Sequence, residues 1–280
     1  MKKIFLLVTL FLMAALGFAQ EITVCHTSST EKFALFASNK DFNAEHPKPR
    51  AYVHVSQEGG KMISFKTSDG QEGKGYFIPA KQKTNNWIFV FQEWWGLNDH
   101  IKRQAEELYK DLGNVNVLAL DMYDGKVTAD RQTAGGYMQQ FKQDRGNTIV
   151  QGALDYAGKD AKVGTIGWCF GGGQSLLASL TAGKQAAACV IYYGMPVDDV
   201  EKLKTLNTDV LGIFASREKH ISPEVVKKFE ANMKAAGKNV TVKNYDADHG
   251  FANPSNPIYD KESTEDAYKH TLAFFKARLK

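Results

Sequence analysis

Cys169 stands in Gly167-Trp168-Cys169-Phe170-Gly171, after a run with β-branched strand character (Val163, Thr165, Ile166) and before a helix-compatible stretch from Gln174 to Leu180. A G-x-C-x-G turn between strand and helix forces its central residue into a strained backbone conformation, and the flanking glycines let the two backbones pass close together. The thiol then projects into solvent at the positive end of a helix, which favours the thiolate, and the amide of Phe170 is placed to stabilise an oxyanion. That is the equipment of a nucleophile in acyl transfer. The competing readings are a buried structural cysteine and a phosphate-holding loop. Neither a G-x-G-x-x-G nor a Walker pattern is present, and no lysine plus Ser/Thr follows the glycines.

Three further groups lie where a parallel sheet would gather them. Glu93 follows an apolar run from Trp87 to Gln92, Glu218 follows Val210 to Ala215, and His249 follows Val240 to Tyr245 in the irregular segment Asp246-Ala247-Asp248-His249-Gly250-Phe251. An imidazole there can take the thiol proton and return it to a leaving group, because its pKa lies near neutrality. A lone loop histidine is more often an ordinary surface residue. The chain order nucleophile, acid, histidine, which is that of α/β-hydrolases, favours catalysis.

The elements that must position these groups alternate between strand and helix patterns. Strands are expected at Met62 to Thr67 and Gly75 to Ile78, joined across Ser68-Asp69-Gly70, and at Trp87 to Gln92, Val115 to Leu120, Ala187 to Tyr193, Val210 to Ala215 and Val240 to Tyr245, besides the nucleophile strand. Helices are expected from Asn98 or Asp99 to about Leu112, with Ile101, Ala105 and Leu108 on one face; over residues 129 to 158, broken near Gly146; after Cys169; near Val200; from Pro223 to Ala236; and from Glu262 to Leu279. This alternation implies an α/β fold, a mainly parallel sheet with helices on both faces and reactive residues at the carboxyl ends of strands.

The first 19 residues read as a targeting segment: Lys2 and Lys3, an apolar stretch from Ile4 to Leu16, then Gly17-Phe18-Ala19 as a cleavage site. An exported, periplasmic or secreted chain starting near Gln20 is expected, with no membrane anchor once the signal is removed. A lipoprotein is the nearest competitor because of Cys25, but Ile22, Thr23 and Val24 before it do not supply the small residue that lipid attachment needs. Removing Lys2 and Lys3 leaves 33 basic against 31 acidic residues, a formal charge of +2, which points to neither nucleic acid nor an anionic surface. Three cysteines make no disulfide framework; Cys25 and Cys189 could pair, though Cys189 sits in an apolar strand like a packed small hydrophobe. Residues 20 to 60, with Pro47, Pro49 and Gly59-Gly60, read as an extension draped over the domain formed by 61 to 280, with no chemistry of its own. His26, His46 and His54 are too scattered there to suggest a metal site.

From about Met62 onward the chain resembles the dienelactone hydrolase family of α/β-hydrolases. The matching pieces are Gln92-Glu93-Trp94-Trp95-Gly96-Leu97-Asn98, Leu120-Asp121-Met122-Tyr123, Gly167-Trp168-Cys169-Phe170-Gly171-Gly172 and His249-Gly250-Phe251-Ala252-Asn253. The resemblance implies a Cys-acid-His triad with an additional glutamate beside the thiol: Cys169 as nucleophile, His249 as base and acid, Glu93 as the extra carboxylate. A carboxylate against a thiol disfavours the thiolate, so a resting enzyme keeps Cys169 protonated until substrate displaces Glu93. The amide of Trp94 becomes the second oxyanion donor, and Trp94, Trp95, Tyr123, Trp168 and Phe170 are expected around the acyl site.

The sequence departs from the family pattern twice. The third triad member is normally an aspartate, and Gly212 to Pro223 offers Glu218 instead, which can orient an imidazole with one more methylene. The arginines of members that act on carboxylated dienelactones are replaced by Gly125-Lys126 and by Asn253, so Lys126 could hold an anion but no bidentate clamp is present. The expectation is a cofactor-free, metal-free hydrolase of a small ester or lactone working through an acyl-Cys169 intermediate. A binding module that has lost catalysis and a redox thiol protein are the alternatives, the latter lacking a C-x-x-C pair.

Overall fold

The computed structural model describes residues 28–280. Eight strands form one sheet in the order β1-β2-β4-β3-β5-β6-β7-β8, where β1 is Lys61–Lys66, β2 Glu72–Ile78, β3 Asn86–Phe91, β4 Asn116–Leu120, β5 Lys162–Trp168, β6 Ala186–Tyr192, β7 Val210–Ala215 and β8 Val240–Tyr245. β2 runs antiparallel to both β1 and β4, and every other pairing is parallel. The first hairpin turns through Gly70, whose φ of 78° is the left-handed conformation that a glycine adopts without strain.

The helices are α1 Ser29–Leu35, α2 Lys40–Ala44, α3 Asp99–Leu112, α4 Arg131–Gln140, α5 Gln143–Ala157, α6 Phe170–Ala182, α7 Val200–Lys204, α8 Pro223–Ala235 and α9 Lys261–Arg278. Two adjacent residues of β5 show how the sheet is covered. A side chain on Gly164 would meet Phe275 of α9, whereas Thr165 donates to the Ser175 carbonyl of α6 from 3.0 Å. Successive strand residues point to opposite faces, so α9 and α6 lie on opposite sides. β3 to β7 are buried almost throughout, which is why their sequences run apolar without alternation.

Helix starts follow local chemistry. The Asn98 side chain accepts from Ile101 N at the head of α3, Asp260 does the same for Ser263 N at α9, and Pro223 occupies the first turn of α8. The expected break near Gly146 falls earlier, at Phe141 and Lys142, which are extended. Gly146 lies inside α5 because a Cβ there would come within 2.6 Å of the Phe141 ring: the glycine serves close packing, not helix termination.

The region before β1 is more ordered than its sequence suggests. Ser28 and Glu31 form a reciprocal capping box at α1, and the Asn39 side chain caps α2. Phe33 and Phe42 from these helices are buried in the core. Cys189 packs in β6 with Ser175 Oγ 3.7 Å from its sulfur, while Cys25, its suggested disulfide partner, lies outside the described residues, as does the expected targeting segment. Among the described residues no helix is long and apolar enough to cross a membrane.

Candidate active site

β5 ends at Trp168 and α6 begins at Phe170, leaving Cys169 alone at the turn with φ 59° and ψ −120°. Such a backbone costs a non-glycine residue about 1–3 kcal/mol, which the surroundings must over-determine. They do so by contact: Cys169 N donates to Tyr192 O on β6 from 3.0 Å, and Gly172 N donates to Cys169 O from 3.0 Å. The flanking glycines are steric necessities. A Cβ on Gly167 would lie 2.0 Å from Gly171 O, and one on Gly171 would lie 2.3 Å from Phe91 O.

The strand ends bring Cys169, Glu93, Glu218 and His249 together in one buried cluster. Cys169 and His249 are each 1% exposed, Glu218 4% and Glu93 6%, so the thiol expected to project into solvent is instead closed over by its neighbours. His249 Nδ1 lies 2.8 Å from Glu218 Oε1, at ion-pair distance but too far off line for a regular hydrogen bond. Ile221 N donates to the same carboxylate oxygen from 3.2 Å. Burial pushes the Glu218 carboxyl up to about 8 and His249 down to about 3, so the closed site favours the neutral form of each.

Burial likewise raises the Cys169 thiol well above its ordinary range, and the charge of Glu93 adds to this. The amides of Phe170 and Trp94 both approach the sulfur and act in the opposite sense. These are the two amides expected to form an oxyanion hole, and they converge on the Cys169 sulfur. Glu93 itself is raised to about 7 by burial, opposed by Asn253, whose amide donates to it from 2.6 Å.

The thiol's hydrogen-bonding neighbour is not Glu93 but His46, with Nε2 3.4 Å from Sγ. This corrects the reading of the N-terminal extension as free of chemistry. Its other histidines do lie apart: His54 engages Tyr76 and Glu106, and His26 is outside the described residues. His46, Cys169 and His249 each bring a donor atom to within 4.8 Å of the others, a sulfur-and-imidazole set that could also hold a zinc-like ion. The helices of this segment were not expected from the sequence, and nothing in the sequence places α2 near Cys169. Tyr193, whose ring centroid lies 5.0 Å from that of His249, and His220, packed against Phe36 and Phe42, were also missed.

The expected pocket residues divide. Trp94 and Trp95 pack edge to face, with ring centroids 4.9 Å apart and Trp94 against His46, and Tyr123 packs on Phe170 beside the thiol. Trp168 instead lines a cavity of about 320 Å³ with Tyr192 and Tyr268, and Lys126 lines one of about 200 Å³ with Tyr123 and Arg145. Neither lining includes Cys169, His249 or Glu93.

A mainly parallel sheet bearing a thiol on a strained strand-to-helix elbow, with a histidine and an acid past later strands, defines an α/β-hydrolase. A model of the dienelactone hydrolase family matches residues 74–279, and the chain belongs to that family, which makes it a hydrolase of the ester and lactone type. It is 26% identical over 232 residues to "Protein usf" of Aquifex pyrophilus, covering 79% of this chain and 99% of that one. It is 27% identical over 225 residues to a carboxymethylenebutenolidase of Pseudomonas sp., covering 74% and 90%. Among solved structures, a dienelactone hydrolase-like promiscuous phosphotriesterase from metagenomic libraries superposes with a TM-score of 0.68 at 24% identity, covering 79% of this chain and 99% of that one.

Proposed function

We propose that the protein hydrolyses a small carboxylic ester or lactone through an acyl-Cys169 intermediate. The observation that carries this reading is the convergence, on one strained cysteine, of two backbone amides and a nearby imidazole that has its own carboxylate. Attack by the Cys169 sulfur on the carbonyl carbon forms a C–S bond and moves the carbonyl electrons onto an oxygen facing the Phe170 and Trp94 amides. His249, steered by Glu218, carries the thiol proton to the leaving oxygen and then takes one from the water that splits the thioester. Family membership favours this reading over a metal centre built from the same atoms.

Dienelactones with a free carboxylate are not the favoured substrates. Asn253 is committed to Glu93, and Lys126 stands 5.8 Å from the Tyr137 ring in a separate cavity, so no cationic clamp among the described residues faces the thiol. A neutral ester or lactone fits better. Export through residues 1–19 belongs to the same proposal; the N-terminal mass of protein recovered from the extracytoplasmic fraction tests it, with a start near Gln20 expected.

The activity is tested on a panel of short-chain aryl esters and lactones. Turnover that disappears in Cys169→Ala and after alkylation of Cys169 is expected, as is a stable acyl adduct by intact mass in His249→Ala. Full turnover by Cys169→Ala would overturn the proposal.

A further inference from the structure

The family match starts at residue 74, so α1 and α2 lie outside the part of the chain that the family shares. Yet Phe42 of α2 and His46, two residues past that helix, pack into the candidate active site. The His46 ring centroid is 4.6 Å from that of His249 and 4.6 Å from that of Trp94. The fully buried Phe42 ring packs against Trp94, His220 and His249 at 5.5, 5.4 and 6.1 Å. An acyl carbon must come within about 3–3.5 Å of the sulfur, and its leaving group must reach the base. His46 stands at 3.4 Å from that sulfur and against that base. Substrate and His46 therefore compete for one place.

The contact also settles the state of the thiol. His46 Nδ1 lies 2.6 Å from the carbonyl oxygen of Phe42, which can only accept, so the ring proton is on Nδ1. Burial, with His249 alongside, keeps the ring neutral, so Nε2 is a bare acceptor facing Cys169 and the hydrogen bond across 3.4 Å is S–H to nitrogen. A thiol donating in this way is held in its neutral form.

Beside the buried Phe33 and Phe42, a set of polar contacts holds the segment down. Lys32 pairs with Asp198, Thr30 Oγ1 donates to Gln143 from 2.5 Å, Gln174 donates to Thr30 from 3.1 Å, and Gln139 donates to Ser38 from 2.8 Å. These tethers attach α1 and the turn after it to α4, the start of α5, α6 and the loop before α7, and none touches Cys169 or His249.

We propose that residues 28–46 are an intramolecular plug: His46 caps Cys169 as a neutral thiol, Phe42 fills the adjoining space, and substrate gains the nucleophile only when the segment lifts off α4 and α6. This rests on the reading of Cys169 as the nucleophile and adds an autoinhibitory contact to it.

The test uses the full chain and two variants. His46→Ala removes the cap, and Asp198→Ala cuts a surface tether while leaving every residue of the cluster in place. Iodoacetamide alkylation of Cys169 is timed by peptide mass mapping, and 4-nitrophenyl acetate hydrolysis is measured on the same samples, after thermal melts confirm folding. Both variants are expected to alkylate faster than the parent, His46→Ala by about tenfold or more for the lost cap and Asp198→Ala by up to about fivefold, since a part-exposed ion pair is weak, and Asp198→Ala to show a higher kcat/KM. Alkylation at the parent rate in both variants overturns the plug. So does an Asp198→Ala variant with parental kcat/KM beside a His46→Ala variant that alkylates faster but hydrolyses more slowly, which would make His46 part of the chemistry. Because alkylation needs no ester, faster alkylation without turnover on any ester would uphold the plug and overturn the hydrolase reading instead.

Discussion

The Asn253 amide donates to Glu93 Oε2 from 2.6 Å, tying the end of β3 to the loop that carries His249. The carboxylate expected to guard the thiol by touching it is thus held by a side chain four residues past the histidine. Its influence on Cys169 acts through its charge.

Removing that donor shifts the guard. Asn253 holds the Glu93 carboxyl down against burial, so Asn253→Ala is expected to move its titration above about 7. Carboxylate titration followed by infrared difference spectroscopy against Glu93→Gln reads this directly, and an unchanged midpoint would count against the contact.

The same carboxyl makes stability depend on pH. A folded-state value of about 7 against an ordinary 4.5 means that folding takes up a proton between these limits. Its contribution is therefore greatest below about 4.5 and is lost as pH rises through about 7. Glu93→Gln should be the more stable protein at pH 8, by up to about 3 kcal/mol. It should also lose this component of the slope between pH 4.5 and 7, measured by urea unfolding across that range.

The elbow tolerates no extra atom. A Cβ on Gly171 meets the carbonyl oxygens of Phe91 and Gln92 at 2.3 and 2.5 Å, both backbone and both unable to rotate away. Gly171→Ala should lose upwards of about 3 kcal/mol of stability or fail to fold. Gly113→Ala would face open space but a φ of 89°, so it serves as a milder control, visible as a smaller fall in melting temperature.

The acid beside the histidine sets a kinetic expectation. Glu218 Oε1 is 2.8 Å from His249 Nδ1, and Oε2 has no hydrogen-bond partner among the described residues. Glu218→Gln keeps the volume but removes the charge that would stabilise an imidazolium, and should lower kcat about 10²–10⁴-fold. Glu218→Asp, shorter by one methylene, should fall between the two. Equal kcat in all three would remove Glu218 from the mechanism.

Much of the scaffold was legible because its residues answer to local rules. β7 and β8 occur at the expected Val210–Ala215 and Val240–Tyr245, the first a continuous apolar run of a buried strand and the second a Val-Thr-Val start at the sheet edge, both bounded by polar turns. The strained backbone at Cys169 follows from glycines two residues to either side, each needed for a backbone approach that can be argued from spacing alone. Gly146 shows the reverse: inside α5, its reason is the Phe141 ring that packs on it, which no helix propensity reports.

The sequence by itself determined the sheet, the elbow and the chain order of Cys169, Glu218 and His249, because periodicity, turn chemistry and strand ends are short-range properties. Only the tertiary structure decided what stands on the thiol. His46 and Cys169 are separated by 123 positions and share no pattern. Their contact exists because burial of Phe33 and Phe42 draws α1 and α2 onto the body, and apolar burial is non-directional: it marks a segment as one that docks without saying where.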